Sequence, residues 1–543
     1  MEAGDVGREI IARVDKLATD RSSWESHWNE IAQRVLPVYS DSFTVGGMGS
    51  RATQGEKQTD YMFDSTAANA LMRFSAAMES MLTPRNAKWH RLRPTEPNLM
   101  KDKASRLWFE QVNDALFYHR YSSKANFASQ QHENYMSLGA FGTGCMFVDQ
   151  LKGGGLRYRS IHLGEIYFSE NHQGLIDTAY RKFPYTARQA CQMWGDKAPK
   201  ACINAMEKDQ EREFFFVHAV IPRDDYDPIK IDYRGMPFAS YYVSCDEKRV
   251  LSESGFQTFP YSISRYTTAP GETYGRSPAM MVLPAIKVLN EEKQTLLKQG
   301  HRSVDPVLLA FDDGVLDTFS LKPGAINYGG VSADGRPLVH ALPTGNISVG
   351  KDMMDDERVA INDAFLVTLF QILVDTPQMT ATEVVERSRE KGALLSPTMG
   401  RQQSEALAPL IERELDLLSR QRLLPPMPPA LKEAGGDFQI EYDSPLSRSQ
   451  KAEEAAGLMR TAEFAVQVAA NTQNPAPMDF FNWDAIIPEL ASMNAVPERW
   501  MKSMEEVAAM REGRNQQQQQ EQLVNAMPGA AAMANALAKS QQG

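Results

Sequence analysis

Two stretches decide how the chain is read: residues 277–300, SPAMMVLPAIKVLNEEKQTLLKQG, and residues 351–373, KDMMDDERVAINDAFLVTLFQIL. In the first, Met281, Ile286, Leu289, Leu296 and Leu297 recur at helical spacing among charged residues. At 1.5 Å per residue the stretch makes a rod of about 36 Å. Pro284 either kinks that rod or marks its true start, because proline has no amide donor and fits only a helix's first turn. In the second stretch Ile361, Phe365, Leu369 and Leu373 stand four apart and form one apolar stripe. The two rods are similar in length.

Between them, residues 301–350 hold short strand-like runs at 307–311 and 338–342, with turn signals at Asp312-Asp313-Gly314 and Asp334-Gly335. The segment reads as a small excursion inserted between two long helices. Upstream, residues 5–36 (Ile10, Val14, Leu17, Trp24, Trp28, Ile31, Val35), 65–82 and 101–121 have helical spacing, with stops at Pro37 and Thr83-Pro84. Residues 40–59 read as an exposed loop. From 143 to 270 the character changes to β-branched and aromatic runs between turns, at 156–161, 213–221, 239–244 and 249–253, which fit a mainly antiparallel sheet. Downstream, 380–391 and 397–424 read as helices, and prolines at 425, 426, 428 and 429 end the latter. Residues 438–442 read as a strand returning to the earlier sheet. From Ser447 the chain is helical and rich in Ala and Gln, and no internal repeat occurs. The fold class is α+β, mainly α.

At 543 residues the chain has room for three to four domains of about 150 residues. A hydrophobic share of 42% with 23% charged residues excludes collagen and global disorder. Cys145, Cys191, Cys202 and Cys245 stand far apart with no Cys-x-x-Cys pair, so they read as reduced structural thiols in a cytosolic setting. The acidic N-terminus and the lack of any run of 18 apolar residues read as neither exported through a signal peptide nor membrane-inserted. Net charge is −11, which disfavours a tight grip on DNA phosphates but not loose, sliding contact.

No nucleotide-binding glycine motif stands out, since Gly139-x-x-Gly142-x-Gly144 lacks the dinucleotide spacing and no P-loop occurs. Histidines are scattered, without His-Glu-x-x-His. Asp224-Asp225-x-Asp227 and Asp312-Asp313 are the best acidic clusters for a two-metal phosphoryl site, yet each adjoins a turn residue, and aspartate is a good turn former. The stretch Arg85, Lys88, Trp89, His90, Arg91, Arg93 suits phosphate contact or, more simply, a turn leading into a strand with an amphipathic tryptophan. No catalytic residue, metal ligand set or cofactor is assigned.

Tyr274-Gly275-Arg276-Ser277-Pro278, the run from Pro284 to Asn290, and Val304-Asp305-Pro306 with Asp312-Asp313-Gly314 resemble the head-to-tail connector, or portal, family of short-tailed bacteriophages. Thr380, Glu383 and Arg387, then Gln403, Glu405, Pro409 and Arg413, then Arg422 to Pro425 and Tyr442-x-Ser444-Pro445, are similar to the same family in the same order. Asp64-Ser65-Thr66 and Leu82-Thr83-Pro84 with Trp89 match as well. The resemblance spans about residues 20–450.

It implies a dodecameric ring at one capsid vertex, with an axial channel for double-stranded viral DNA during packaging and ejection. Residues 1–276 would form the wing, 277–300 the first stem helix, 301–350 the clip, 351–373 the second stem helix and 374–380 the tunnel loop. Residues 381–445 would return to the wing, 446–510 would form the crown, and 511–543 a barrel or disordered tail. Implied partners are the major capsid protein, scaffolding protein, terminase and tail adaptor, in a virion component assembled in the host cytoplasm.

Twelve copies at −11 carry −132 formal charges, so the channel as a whole cannot be a phosphate sink. Lys287, Lys293, Lys298, Arg387 and Arg389 are candidates to guide DNA, or else serve as solvated faces and inter-subunit salt bridges. Thr376, Gln378, Met379 and Thr380 would line the constriction. Leu289, Leu296, Phe365 and Leu369 are expected between neighbouring subunits, as ring closure requires two different faces to meet. The alternatives are a carboxylate-dependent metal nuclease using Asp224, Asp225 and Asp227, and a scaffolding or adaptor protein.

Overall fold

The computed structural model describes residues 3–40, 42–43, 57–100, 102–310, 320–343, 347–368, 397–443, 445–472, 476–493 and 496–518. In chain order the elements begin with α1 (Ala3–Asp20), α2 (Ser22–Val35), α3 (Thr66–Leu82), β1 (His90–Pro94), α4 (Lys103–Arg120) and α5 (Phe127–Phe141). The β-rich part follows: β2 (Thr143–Gln150), β3 (Leu156–Ser160), β4 (Ile166–Glu170), β5 (Ile176–Thr186), α6 (Ala187–Trp194), α7 (Lys200–Lys208), β6 (Glu213–Pro222), β7 (Phe238–Ser244), β8 (Val250–Phe256) and β9 (Tyr261–Arg265). Next come α8 (Pro278–Met281), α9 (Leu283–Val304), β10 (Leu308–Ala310), β11 (Val339–Ala341) and α10 (Ile347–Ala364). The remainder is a π-helical turn (Gln402–Leu407), α11 (Ala408–Arg420), α12 (Pro429–Glu433), β12 (Phe438–Tyr442), α13 (Pro445–Thr472) and α14 (Trp483–Met493). The fold is α+β.

The chain divides into two compact units, residues 1–85 with 119–421, and residues 86–118 with 422–543. In the first, β4-β5-β6-β7-β8 form an antiparallel five-stranded sheet and β3-β2-β9 a three-stranded one. Side chains on a strand alternate between faces, and here both faces of the larger sheet are covered. Val217 and Ala219 pack with Ile10, Ile11 and Val14 of α1. Phe214 and Phe216 pack with Ala190 and Trp194 of α6 and Cys202 of α7. Double coverage explains why 213–221 reads as a nearly continuous apolar run.

The helical spacing of 5–36 is interrupted at Arg21, which is 2% exposed. Its guanidinium donates to the carbonyls of Leu163 (3.0 Å), Gly164 (3.2 Å) and Ile166 (2.5 Å) and to Glu25, and it lies 3.9 Å over the Tyr167 ring. A buried arginine is tolerable because its donors are satisfied and its charge is paired.

In the second unit β12 pairs antiparallel with β1, Leu92 opposite Ile440. The strand at 438–442 therefore forms, but it joins neither sheet of the 143–270 region. Trp89, just before β1, is buried at 1% exposure, the amphipathic-tryptophan reading of that basic stretch.

Candidate functional site

The segment Tyr274 to Pro278 leads from the sheets into the helix pair α9 and α10. Tyr274 packs edge-on to Trp28, with ring centroids 5.2 Å apart. Gly275 donates its N–H to Thr143 Oγ1 at 2.8 Å. A Cβ at Gly275 would lie 2.2 Å from the Gly142 carbonyl oxygen, so only glycine permits this approach of two backbones. Ser277, fully buried, accepts from the Met280 N–H (3.0 Å) and donates to the Ala140 carbonyl (2.8 Å), an N-cap anchored on α5. Pro284 occupies the first turn of α9, so it marks the start of the long helix, which is separated from α8 by the break at Val282.

α9 and α10 lie side by side and antiparallel. Leu296 approaches Gly350, 3.1 Å from where its Cβ would stand, and Glu292 neighbours Glu357, whose charge adds to burial in pushing the Glu292 carboxyl up. A polar clasp ties this pair to α3. Asn290 Oδ1 accepts from the N–H groups of Phe63 (2.7 Å) and Asp64 (3.1 Å), while its Nδ2 donates to the Ile286 carbonyl. Asp64 in turn accepts from Thr66 and, at 2.8 Å, from Arg358 of α10. Burial pushes the Asp64 carboxyl up, but the hydrogen bonds from Thr66 and Arg358 outweigh it and hold the group below its ordinary value. The Asp64-Ser65-Thr66 and Asn290 positions thus share one structural task.

α10 breaks after Ala364, Val367 and Thr368 are helical again, and residues 369–373 of the expected helix lie outside the described residues. At the break Leu366 adopts a left-handed φ of 59°, and Thr368 Oγ1 donates to Asp363 Oδ1 (2.6 Å). Leu289 and Phe365 are covered within a single subunit, at 1% and 0% exposure, and Phe365 meets the Phe74 ring edge-on. Leu296 is half-buried. Among the described side chains, the large apolar ones that α9 leaves exposed are Val288, Leu297 and Val304, and those of α10 are Met353 and Val359. Lys287 is paired with Glu30 of α2 at 2.7 Å, a bond that is the main reason the Glu30 carboxyl lies low. Lys293 is half-buried and Lys298 exposed. Leu369, Thr376, Gln378, Met379, Thr380, Arg387 and Arg389 lie outside the described residues.

The acidic cluster at 224–227 has structural employment. Asp225 pairs with Arg223 (3.3 Å) and Arg234 (3.9 Å), and Asp227 Oδ1 accepts from the Ile229 N–H. Among the described residues no three His, Cys, Asp or Glu side chains are grouped to hold a metal ion, and Asp312 and Asp313 lie outside them.

The family profile described as bacteriophage head to tail connecting protein matches residues 7–501. The chain belongs to this family. It is similar to the "Probable portal protein" of Bordetella phage BPP-1, 30% identical over 518 residues that cover 94% of this chain and 91% of that one. It is also similar to the "Portal protein" of Salmonella phage epsilon15, 28% identical over 541 residues, 98% of this chain and 95% of that one. Its function is that of a portal, the connector between a phage's head and tail, and it is a component of the virion. No helix among the described residues is long and apolar enough to cross a membrane.

The connector's other family-like positions anchor its body. Glu405 receives two bonds from Arg265 of β9 (3.0 and 3.1 Å), and Gln402 donates to the Arg265 carbonyl. Arg413 of α11 donates to the Val148 carbonyl and pairs with Asp416. Sequence reasoning missed Glu30, Arg358 and the aspartates of α10. The first two are single charged residues without a local pattern, whereas Asp352, Asp355, Asp356 and Asp363 were legible as an acidic helix face.

Proposed function

We propose that the chain assembles with copies of itself into a closed ring, twelve by the family resemblance, at one vertex of the capsid. Viral DNA passes through the ring during packaging and ejection, and the chain performs no catalysis of its own. Residues 1–276 act as the wing, α9 and α10 as the stem, and 301–350 as the clip that receives terminase and the tail adaptor. Residues 374–380, with Thr376, Gln378, Met379 and Thr380, line the constriction, and 381–445 lead back to the wing. Residues 446–510 form the crown facing the capsid interior, and 511–543 the tail. Contacts with the major capsid protein and scaffolding protein, and assembly in the host cytoplasm, belong to the same reading. Lys298 is retained as a guide for DNA or a partner for a neighbouring copy.

One observation carries the reading: in a chain of the connector family, two long antiparallel helices clasped to the body end in a hairpin whose apolar side chains face solvent. Two strands of three residues each are marginal alone. Leu309 of this region, together with Leu321, Ile326, Tyr328 and Val331, is more than half exposed. Contiguous exposed apolar surface marks a protein contact. Negative-stain imaging of the purified protein should show rings with an axial channel. A monomer under all solution conditions overturns the reading.

A further inference from the structure

The ring reading leaves open what holds neighbouring helix pairs together, and the charge on the two helices differs in a way that bears on it. In α9 the positions facing α10 are Glu292 and Leu296, and in α10 the positions facing α9 are Gly350 and Glu357. At 100° per residue, Lys287, Glu291, Leu297, Lys298, His301 and Arg302 fall on the half of α9 turned away from its partner, with Lys287 paired to Glu30. From Lys293 to Val304 α9 contains no acid. On α10 the half turned away holds Lys351, Asp352, Asp355, Asp356, Val359 and Asp363, all exposed, four acids to one lysine. Its arginine, Arg358, is directed to Asp64 and Asp355. One flank of the helix pair is therefore basic and the other acidic.

A second feature lies on the basic side. Thr295, Lys298, Gln299 and Arg302 of α9, with Val307, Leu342 and Pro343 at the foot of the hairpin, line a cleft of about 310 Å³ that contains no acid. Lys298 and Arg302 form neither an ion pair nor a hydrogen bond with the described residues. An apolar floor under two cations suits an acidic side chain flanked by aliphatic ones, the chemistry that α10 displays around Val359 and Met353.

We infer that the basic flank of α9, with its cleft, receives the acidic flank of α10 from the next copy of this chain. The inference rests on the ring reading above. A twofold dimer through this pair would set acid against acid or base against base, whereas a rotation repeated in one direction sets α9 against α10 at every joint. Cyclic symmetry also keeps contacting groups at one level along the axis. The Leu296–Gly350 contact puts Lys298 and Asp352 within about 6 Å, or one helical turn, of a common level. Exposed Leu297 and Val304 on α9 and Val359 on α10 supply apolar contact, and the charges select orientation and partner face.

A charge-swap mixture tests this. One variant carries Lys298→Glu and Arg302→Glu, the other Asp352→Lys and Asp356→Lys; each is assayed alone and mixed one to one by mass photometry and negative stain at 0.1 M salt. Each alone should lose at least tenfold in ring fraction, because both flanks then carry one sign. The mixture should recover rings of even subunit number, since alternating copies restore an opposite-sign pair at every joint. Circular dichroism and the melting temperature report folding of each variant. If either fails to fold, Lys298→Gln with Arg302→Gln and Asp352→Asn with Asp356→Asn replace them, and the expected result is ring formation whose salt dependence is weaker than wild type's. Folded variants that each form wild-type amounts of ring, a mixture that stays unassembled, or neutral variants with unchanged salt dependence overturn the inference. Wild-type protein that never forms rings overturns the reading beneath it instead.

Discussion

His218, in the middle strand of the five-stranded sheet, is 2% exposed, stacked on Tyr242 (ring centroids 4.3 Å) and bonded to Tyr261 (2.7 Å) and Ser240 (2.9 Å). Burial, with the nearby Arg181 charge second, pushes its pKa down to about 3. The unfolded chain takes up this proton near the ordinary histidine value of about 6.5. Between the two values the unfolded state binds more protons, so stability falls as pH drops from 6.5 towards 3 and is complete above 6.5. His162, half-buried and held down to about 4 by desolvation, titrates with the same sign over a narrower window. Replacing His218 with Gln should remove one proton's contribution to that slope, about 1.4 kcal/mol per pH unit. Urea midpoints of the wild type and variant measured from pH 7 to pH 4.5 check it; parallel slopes would show that the site does not hold a neutral imidazole.

At the scale of elements, Phe365 separates two ideas that periodicity alone runs together. Its place in the stripe Ile361–Phe365 is equally compatible with a subunit joint and with an internal core, because a helical pattern reports that a face is covered and not by what. The structure covers it internally, against Phe74 of α3. Phe365→Asp should therefore destabilise the single subunit by about 3 kcal/mol or more, through lost packing and a carboxyl with no partner. The expected result is a lower thermal midpoint in dilute solution where rings are absent. An unchanged midpoint with loss of rings would return Phe365 to the subunit joint.

The same logic separates what was legible from what was not. The start of α8 was written in Ser277 and Pro278 and that of α9 in Pro284, and the hairpin in its turn residues. The break at Arg21 was hidden because its partners are carbonyls some 140 residues away. The break after Ala364 was hidden because a leucine, not a glycine, takes the left-handed turn. The pairing of 438–442 with 90–94 rather than with the larger sheets is long-range information that strand-like composition does not contain.

For the whole molecule, the decisive quantity is where positive charge goes. Arg21, Arg120, Arg181, Arg265 and Arg413 are each paired with a carboxylate inside the body, and Lys287 with Glu30. These pairs cancel in the net charge of −11, but they also remove those cations from any surface that DNA meets. If Lys298 and Arg302 are further engaged at joints between copies, few cations remain to neutralise phosphates along the helix pair. Each neutralised phosphate contributes a slope of about −0.9 to log K against log salt. Assembled rings should then bind linear duplex DNA weakly, with a slope shallower than about −2, measured by fluorescence anisotropy between 0.05 and 0.3 M salt. A slope near −5 would mean that several lysines or arginines do line the channel, and that transit is guided by attraction rather than left to slide past an acidic wall.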